Sequence, residues 1–346
     1  MSDSNQLSIA DHIANSSNQQ SRSTKRLEDI AGAIDWKPLY RLARKVDQTD
    51  PEKGGRPRKP ARWMVRALFL KHSYGLSDPE LEDQLIDRLS FRKFVGRPLD
   101  QPVPDFTTFW NFQKDLIVQG LIDEMSSEIS RKLDKQGLLI KQGTIDDAAI
   151  IESSNRPLSD EKREEQRRNP SSQVDTDTRF TKKGGDWHFG YKGHIGMDAT
   201  SKLIRKAAWT SPNTHDSQLL ADLLTGNERG VFADKAYSND GVKMQAREDG
   251  SFYGILDKAK KNEALSCSQK KRKKTLQCIR CQVEHAIAAM KQQYGLAVAN
   301  AKTKLRNRAH FLMGCMCWNI ERSLQLHSEG NLSYCGNSGP TRMWCI

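Results

Sequence analysis

Three acidic residues, far apart in the 346-residue chain, have surroundings that suit metal-dependent chemistry. Asp147 lies in the strand-like run GTIDDAAII, Asp234 follows the short apolar run VFA, and Glu284 lies in the helical stretch RCQVEHAIAAMK. Carboxylate oxygens are ligands that Mg²⁺ and Mn²⁺ prefer, and these ions keep open positions for substrate phosphate. Two such ions would activate an attacking oxygen and stabilise a leaving one at phosphorus. We therefore predict these acids as catalytic residues and metal ligands, with Mg²⁺ or Mn²⁺ as cofactor.

Each acid also has an ordinary structural explanation. An Asp at a strand end commonly caps a turn, and a Glu on a helix is usually solvated. The first run contains two adjacent acids, Asp146 and Asp147. Because side chains alternate across a strand, only one of them can face the site, and Asp146 is the alternative.

The balance of charge favours a polyanionic partner such as DNA. Lys and Arg number 55 against 43 Asp and Glu, giving a formal net charge of +12. Arg280 and Lys291 share the helix face of Glu284, and residues 258–274 contain eight Lys or Arg. A solvated loop is the alternative for that basic run. The run WHFGYKGH offers Tyr191, Lys192 and His194 as further DNA contacts, and the alternative is that they are strand residues packed on a helix. The predicted DNA contacts are Tyr191, Lys192, His194, Lys235, Lys270, Lys271, Arg272, Lys273, Lys274, Arg280 and Lys291.

Elements of two kinds must position these residues. Residues 60–133 have the apolar spacing of short helices, with a capping box at Ser77 and a helix cap at Asp105. After Gly137 the pattern becomes strand, strand, strand, helix, strand, helix, strand, helix. This order is that of an RNase H-like α/β fold, a mixed five-stranded sheet flanked by helices, with the first strand beside the one that ends at Asp234. Residues 155–186 are expected to form a long surface excursion between the first two strands.

The elements divide the chain into two domains with a polar tail at each end. We predict a disordered tail over 1–27, an all-α DNA-binding domain over 28–136, a catalytic domain over 137–326 and a C-terminal tail over 327–346.

No apolar run is long enough to span a membrane, and the N-terminus has no signal-peptide core. Seven cysteines crowd the last quarter of the chain, which favours a reducing cytoplasm over a secreted framework. A zinc site using Cys278 and Cys281 is rejected because both fall on the predicted helix of Glu284.

The motifs together resemble those of bacterial insertion-sequence transposases of the DDE type, in the insertion sequence five group of the insertion sequence four superfamily. GTIDDAAI resembles the strand of the first acid, VFADKAY the motif of the second, and RCQVEHAIAAMK the signature R-x3-E-x6-K, here Arg280, Glu284 and Lys291. The Asp-Ala step of the family motif selects Asp147 over Asp146. Asn213, His215 and Asp216 are similar to the family's N-x-H-D element, where a helix-capping role for Asp216 is favoured. Gln277 stands where the family often has a Tyr.

The resemblance implies a function. The chain would bind the terminal inverted repeats of a transposon, cleave at the ends and join the exposed 3′-hydroxyls to target DNA, as a homo-oligomer on double-stranded DNA in the nucleoid. Two alternatives remain: a DNA-binding repressor or inactive relic, and an RNase H-like nuclease without strand transfer. The three intact acids favour an enzyme over the first. Joining of paired ends to a target would separate a transposase from the second.

Overall fold

The computed structural model describes residues 21–47, 58–169, 171, 174–238, 240–256 and 266–328. The chain divides into two compact units, Met1–Lys132 and Leu133–Ile346. Among the described residues, no helix combines the length and the apolar character needed to cross a bilayer. Mixed α/β secondary structure with a mixed sheet, as predicted, is confirmed.

The described part of the first unit is built from helices and one 3₁₀ turn, Arg44–Asp47. Its first helix begins inside the segment predicted to be a disordered tail, because Leu27 and Ile30 give that helix a buried face. Residues 1–20 of that predicted tail lie outside the described residues. The helices are α1 (Arg22–Ala33), α2 (Lys37–Ala43), α3 (Ala61–Ser73), α4 (Asp78–Asp87), α5 (Leu89–Val95), α6 (Phe106–Val118) and α7 (Leu121–Lys135).

Local capping explains where two of these helices begin. At the start of α4, the Glu80 amide donates to Ser77 Oγ and the Ser77 amide donates to Glu80 Oε2, at 3.3 and 2.7 Å. At the start of α6, the Thr108 amide donates to Asp105 Oδ1 at 2.7 Å. Each cap satisfies backbone donors that have no partner inside a helix. Both caps predicted from the sequence are confirmed.

In the described part of the second unit, seven strands form one mixed sheet rather than the predicted five. The central path runs β4, β3, β1, β5, β6, in which β1 is antiparallel to β3 and parallel to β5. The extra strands are β2, contributed by the long excursion after β1, and the two-residue β7. The strands are β1 (Thr144–Ser153), β2 (Arg179–Lys183), β3 (Asp186–Asp198), β4 (Ile204–Thr210), β5 (Gly230–Ala233), β6 (Phe252–Ile255) and β7 (Val298–Ala299).

Helices cover both faces of the β1–β3 region. One face packs against α11 (Cys267–Gln293) and α12 (Lys304–Ser328), and α12 comes so close that a Cβ on Gly193 would lie 2.6 Å from the Phe311 ring. The other face carries an apolar cluster that includes Leu223 and Tyr237. The remaining helices are α8 (Asp160–Arg168), α9 (Leu220–Leu223) and α10 (Asp240–Glu248).

Two sequence-based expectations about helices need correction. The helix predicted after Asn213 is a 3₁₀ turn, Asp216–Gln218, followed by the single turn α9. The solvated loop offered as the alternative for the basic run is wrong for its described part, residues 266–274, which forms the start of α11. A capping box begins this helix, with Ser266 and Gln269 exchanging hydrogen bonds at 2.9 and 3.2 Å. Residues 257–265 lie outside the described part of the chain.

Candidate active site

Strand register brings Asp147 and Asp234 to neighbouring positions. Strands β1 and β5 are parallel, and Asp146 is paired with Ala233. The residues that follow this pair are Asp147 on β1 and Asp234 directly after the end of β5. Adjacent strands lie about 4.8 Å apart. This placement follows from the buried apolar strand β5, whose residues are all inside the core.

The guanidinium of Arg280 bridges these two acids. Its Nη2 lies 3.6 Å from Asp147 Oδ1, and its Nη1 lies 3.7 Å from Asp234 Oδ1. The Arg280 side chain is 10% exposed, whereas those of Asp147 and Asp234 are 17% and 38% exposed. Asp234 Oδ1 also accepts the Lys235 amide at 2.8 Å, so it caps a turn as the ordinary explanation expected. Capping and a place beside Arg280 are compatible.

The surroundings of Asp147 disfavour its charge. Burial raises the pKa of this carboxyl, and the Glu284 carboxylate raises it further, while Arg280 acts in the opposite direction. Glu284 itself is exposed and lies one turn beyond Arg280 on α11.

The three carboxylates are the kind of ligand that a hard divalent cation prefers. Within the described residues, no three His, Cys, Asp or Glu side chains form a group that could hold a metal ion. Arg280 instead lies where it neutralises two of the acids. A bound cation would favour the charged form of Asp147, which burial and then the Glu284 carboxylate disfavour, so the donor set fits. The zinc alternative gains no support, because Cys278 and Cys281 both lie on α11.

Asp146 faces away from this site. Its side chain is fully buried on the opposite face of the sheet, and neither oxygen has a hydrogen-bond partner within the described residues. Burial, and then the Glu228 carboxylate, raise the pKa of Asp146 well above its ordinary value, while Arg205 lowers it. Arg205 pairs with Glu228 at 3.3 Å and donates to Thr144 Oγ1 at 2.8 Å.

Sequence reasoning missed that buried charged pair. Its only signal was Arg205, a cation between apolar positions of the run KLIRKAAWT.

Lys291 is bound to the strand that carries Asp147. Its Nζ donates to the Ile150 carbonyl oxygen at 2.7 Å. Burial lowers the pKa of Lys291, and the Lys183 ammonium lowers it further. The lysine of the family signature therefore holds β1 against α11 in this structure.

The predicted DNA contacts in β3 need correction. Tyr191 is buried and donates its hydroxyl hydrogen to Asp175 Oδ1 at 2.6 Å. His194 is also buried, with Nδ1 3.1 Å from Tyr237 Oη and Nε2 3.0 Å from Thr210 Oγ1. Neither ring is accessible to a DNA strand, because both faces of β3 are covered at Tyr191 and His194.

Two residues of the N-x-H-D element, Asp216 and His215, and the β3 residue Lys192 have local partners. Lys192 pairs with Asp216 at 3.0 Å and donates to the Thr214 carbonyl oxygen at 3.1 Å. The Ser217 amide donates to His215 Nδ1 at 3.3 Å, so His215 caps the 3₁₀ turn in place of Asp216. The capping role predicted for Asp216 therefore belongs to His215.

The basic residues at the start of α11 divide into two kinds. Arg272 is tied to strand β6, donating to the Tyr253 carbonyl oxygen at 2.7 Å and to that of Ile255 at 3.3 Å. The others are exposed at the surface of the helix, as is Lys235 beside Asp234: Lys270, Lys271, Lys273 and Lys274.

Two protein-family models match the chain. A mixed sheet with acids on adjacent parallel strands is suited to metal-dependent chemistry at phosphorus. A family model described as a transposase DDE domain matches residues 145–320, half of the chain, and this range includes all three acids. A second, described as a transposase domain (DUF772), matches residues 15–115. The chain belongs to the DDE transposase family: it is an enzyme of DNA transposition, in a class that generally uses divalent metal ions.

One solved structure is similar at low identity. It is the piggyBac transposase synaptic complex with hairpin DNA, determined by cryo-electron microscopy. The identity is 9%, the match covers 89% of this chain and 75% of that chain, and the TM-score is 0.45. A likeness of that degree carries no argument about fold or function.

Proposed function

We propose that this chain is the transposase of a bacterial insertion sequence of the insertion sequence five group, with an RNase H-like catalytic domain. The observation that supports the catalytic assignment is the position of Asp147 on β1 beside Asp234, which directly follows β5, with Arg280 between the two acids. Glu284, one turn beyond Arg280 on α11, completes the set of acids. No residue of this set needs to form a covalent bond with DNA.

The proposed reaction has two displacements at phosphorus. In the first, a water oxygen attacks at the transposon end, the bond from phosphorus to the 3′-oxygen breaks, and a 3′-hydroxyl and a 5′-phosphate result. In the second, that 3′-hydroxyl oxygen attacks a phosphodiester of target DNA and the target's own 3′-oxygen leaves. Asp147, Asp234 and Glu284 would hold Mg²⁺ or Mn²⁺, which supplies Lewis-acid stabilisation of charge developing on the phosphate oxygens.

Exposed cations beside the acids support binding of DNA. Lys235 follows Asp234 directly, and the exposed lysines at the start of α11 lie on the helix that bears Glu284. Phosphate contacts of this kind make affinity depend strongly on salt. In this proposal the N-terminal helices recognise the terminal inverted repeats. The chain acts as a homo-oligomer assembled on DNA in the bacterial nucleoid.

The test is substitution of one acid without loss of volume. Asp234→Asn is expected to abolish Mg²⁺-dependent cleavage of a duplex carrying the transposon end, because it removes a charged ligand, while binding of that duplex is retained. Asp222→Asn, which neutralises an exposed acid on α9, is the matched control and should cut normally. Full cleavage by Asp234→Asn would overturn the site. Cleavage without joining to a target would identify a nuclease rather than a transposase.

A further inference from the structure

The hairpin formed by β2 and β3 exposes large aromatic side chains. Trp187 is 67% exposed and Phe180 is 48% exposed. Phe189 is half-buried beside them, with its ring centroid 4.9 Å from that of Phe180. Lys182 places its ammonium 5.8 Å from the centre of the Trp187 ring. We call these four residues the aromatic hairpin face.

Strand pairing puts all four on one side of the ribbon. Phe180 is paired with Phe189, and Lys182 with Trp187. Cross-strand partners point to the same face of a sheet, and so do residues two apart on one strand. The rings therefore form a contiguous surface edged by a lysine. Exposed aromatic surface of this kind marks an interaction site.

The same alternation relates this face to the acids. Counting along β3 in steps of two, Trp187 and Phe189 lie on the face of Ile195, which is paired with Asp147. The aromatic hairpin face is therefore continuous with the sheet face that bears the catalytic acid and packs against α11.

Trp187 lies eight residues before Ile195, the partner of Asp147, on β3, so a straight strand would put Trp187 about 25–30 Å from that acid. A DNA strand held at Asp147 would run along this face to reach the aromatic rings.

We propose that the aromatic hairpin face binds an unpaired nucleotide of the DNA strand that is cut at Asp147, with its base stacked on Trp187 and Phe180. Lys182 would contact a phosphate beside that base. The proposal rests on the proposed function, since it adds a strand-holding surface to the same reaction. Aromatic rings accept any base because every base has a stacking face.

The charges on the hairpin favour DNA over a second protein chain. Lys182 is exposed on the aromatic side, and the turn between the strands is Gly184-Gly185, whose lack of side chains lets a DNA backbone approach closely. Asp186, the acid of the turn, is paired with Lys183, and by alternation both belong to the opposite face. A surface of aromatic rings with a lysine beside it is the composition that holds single-stranded nucleic acid.

The test compares two DNA probes with the full-length chain in EDTA, so that no cleavage occurs. One probe is a blunt duplex of arbitrary sequence, and the other is the same duplex with a few unpaired thymidines at one end, each labelled for fluorescence anisotropy. The unsubstituted chain is expected to prefer the extended duplex. Trp187→Ala is expected to weaken binding of the extended duplex by about 5-fold to 150-fold, the effect of losing one stacked base, and to leave the blunt duplex unaffected.

Three further variants sharpen the comparison. Phe180→Ala is expected to lower the same preference, and Trp187→Phe to preserve it because a ring remains. Met244→Ala removes an apolar side chain that is 61% exposed on α10 and should change nothing. Thermal unfolding of each variant checks that the fold is retained.

Three results would overturn the proposal. The unsubstituted chain could bind the blunt and the extended duplex equally well, or Trp187→Ala could weaken binding of both probes equally. If Trp187→Ala converted a dimer to a monomer without DNA, the face would instead bind a second copy of the chain. Because the measurement excludes metal, it does not depend on the chemistry of the acids. A chain that binds the extension but never cuts DNA would refute the proposed reaction and leave the strand-binding surface supported.

Discussion

Replacing Arg280 with Gln isolates the electrostatics of the site. The guanidinium lies 3.6 Å from Asp147 and 3.7 Å from Asp234, and it is largely withdrawn from water. At an effective dielectric constant of about 20, each such contact corresponds to about 4 kcal/mol before dehydration is subtracted. The second contact counts for less because Asp234 is more exposed. We expect Arg280→Gln to lower the free energy of unfolding by about 2–4 kcal/mol, since two acids are left facing each other.

Urea unfolding of the full chain in EDTA measures this loss, and the double variant Asp147→Asn/Arg280→Gln provides the control. Removing one acid relieves the repulsion, so the double variant should lose less than the sum of the two single losses. Mg²⁺ should then stabilise Arg280→Gln more than the unsubstituted chain, because the cation replaces the missing positive charge. Saturation at 100 times the dissociation constant would contribute about 2.7 kcal/mol. Unchanged stability of Arg280→Gln in EDTA, or equal Mg²⁺ effects in both proteins, would refute this reasoning.

Three further changes test the packing around the site. Burial lowers the pKa of His194 to about 4 from its ordinary 6.5, so the unfolded chain binds more protons between these values and stability falls as pH drops through that window. The free energy of unfolding is therefore about 3 kcal/mol lower at pH 4. In urea unfolding, His194→Gln should lack this part of the pH dependence, and a variant with the same pH dependence as the unsubstituted chain would contradict the assignment. Gly193→Ala places a Cβ 2.6 Å from the Phe311 ring and should cost about 1–3 kcal/mol in thermal unfolding, recovered in part by Phe311→Leu. Lys291→Met removes the hydrogen bond to the Ile150 carbonyl and should cost about 1.5–3 kcal/mol; a smaller salt dependence of DNA binding without loss of stability would instead assign Lys291 to phosphate.

The proximity of Asp147 and Asp234 could be predicted because it depends on local patterns. A short apolar run ending in an acid predicts a buried strand, and a buried strand in an α/β unit is expected beside the first one. Both observations are available in GTIDDAAII and VFAD. The same holds for the helix caps, whose partners lie three residues apart in the sequence.

The burial of Arg280, Tyr191 and His194 could not be predicted in this way. A period of two indicates which residues share a face, but it does not tell which faces are covered by distant helices. The partners that satisfy Tyr191 and His194 are Asp175, Thr210 and Tyr237, and only the folded chain brings them together. Arg280 was placed at the surface because its charge, taken alone, favours solvent. Its burial depends on two acids contributed by other strands.

The sequence contains a signal for the start of α11, but the high density of lysine around it favoured the alternative of a loop. The pattern Ser266-x-x-Gln269 is a capping box that marks a helix start, whereas the density of lysine argued for a loop. The structure shows that the cap and the anchoring of Arg272 to β6 are compatible with the repulsion among the exposed lysines.

Anomalous scattering from Mn²⁺ in crystals of the chain bound to DNA tests the central claim most directly. The account predicts Mn²⁺ within coordination distance, about 2.1 Å, of carboxylate oxygens from Asp147, Asp234 and Glu284, with a DNA phosphate alongside and Arg280 withdrawn from at least one acid. Mn²⁺ bound elsewhere, or Arg280 still bridging Asp147 and Asp234 with DNA in place, would contradict it.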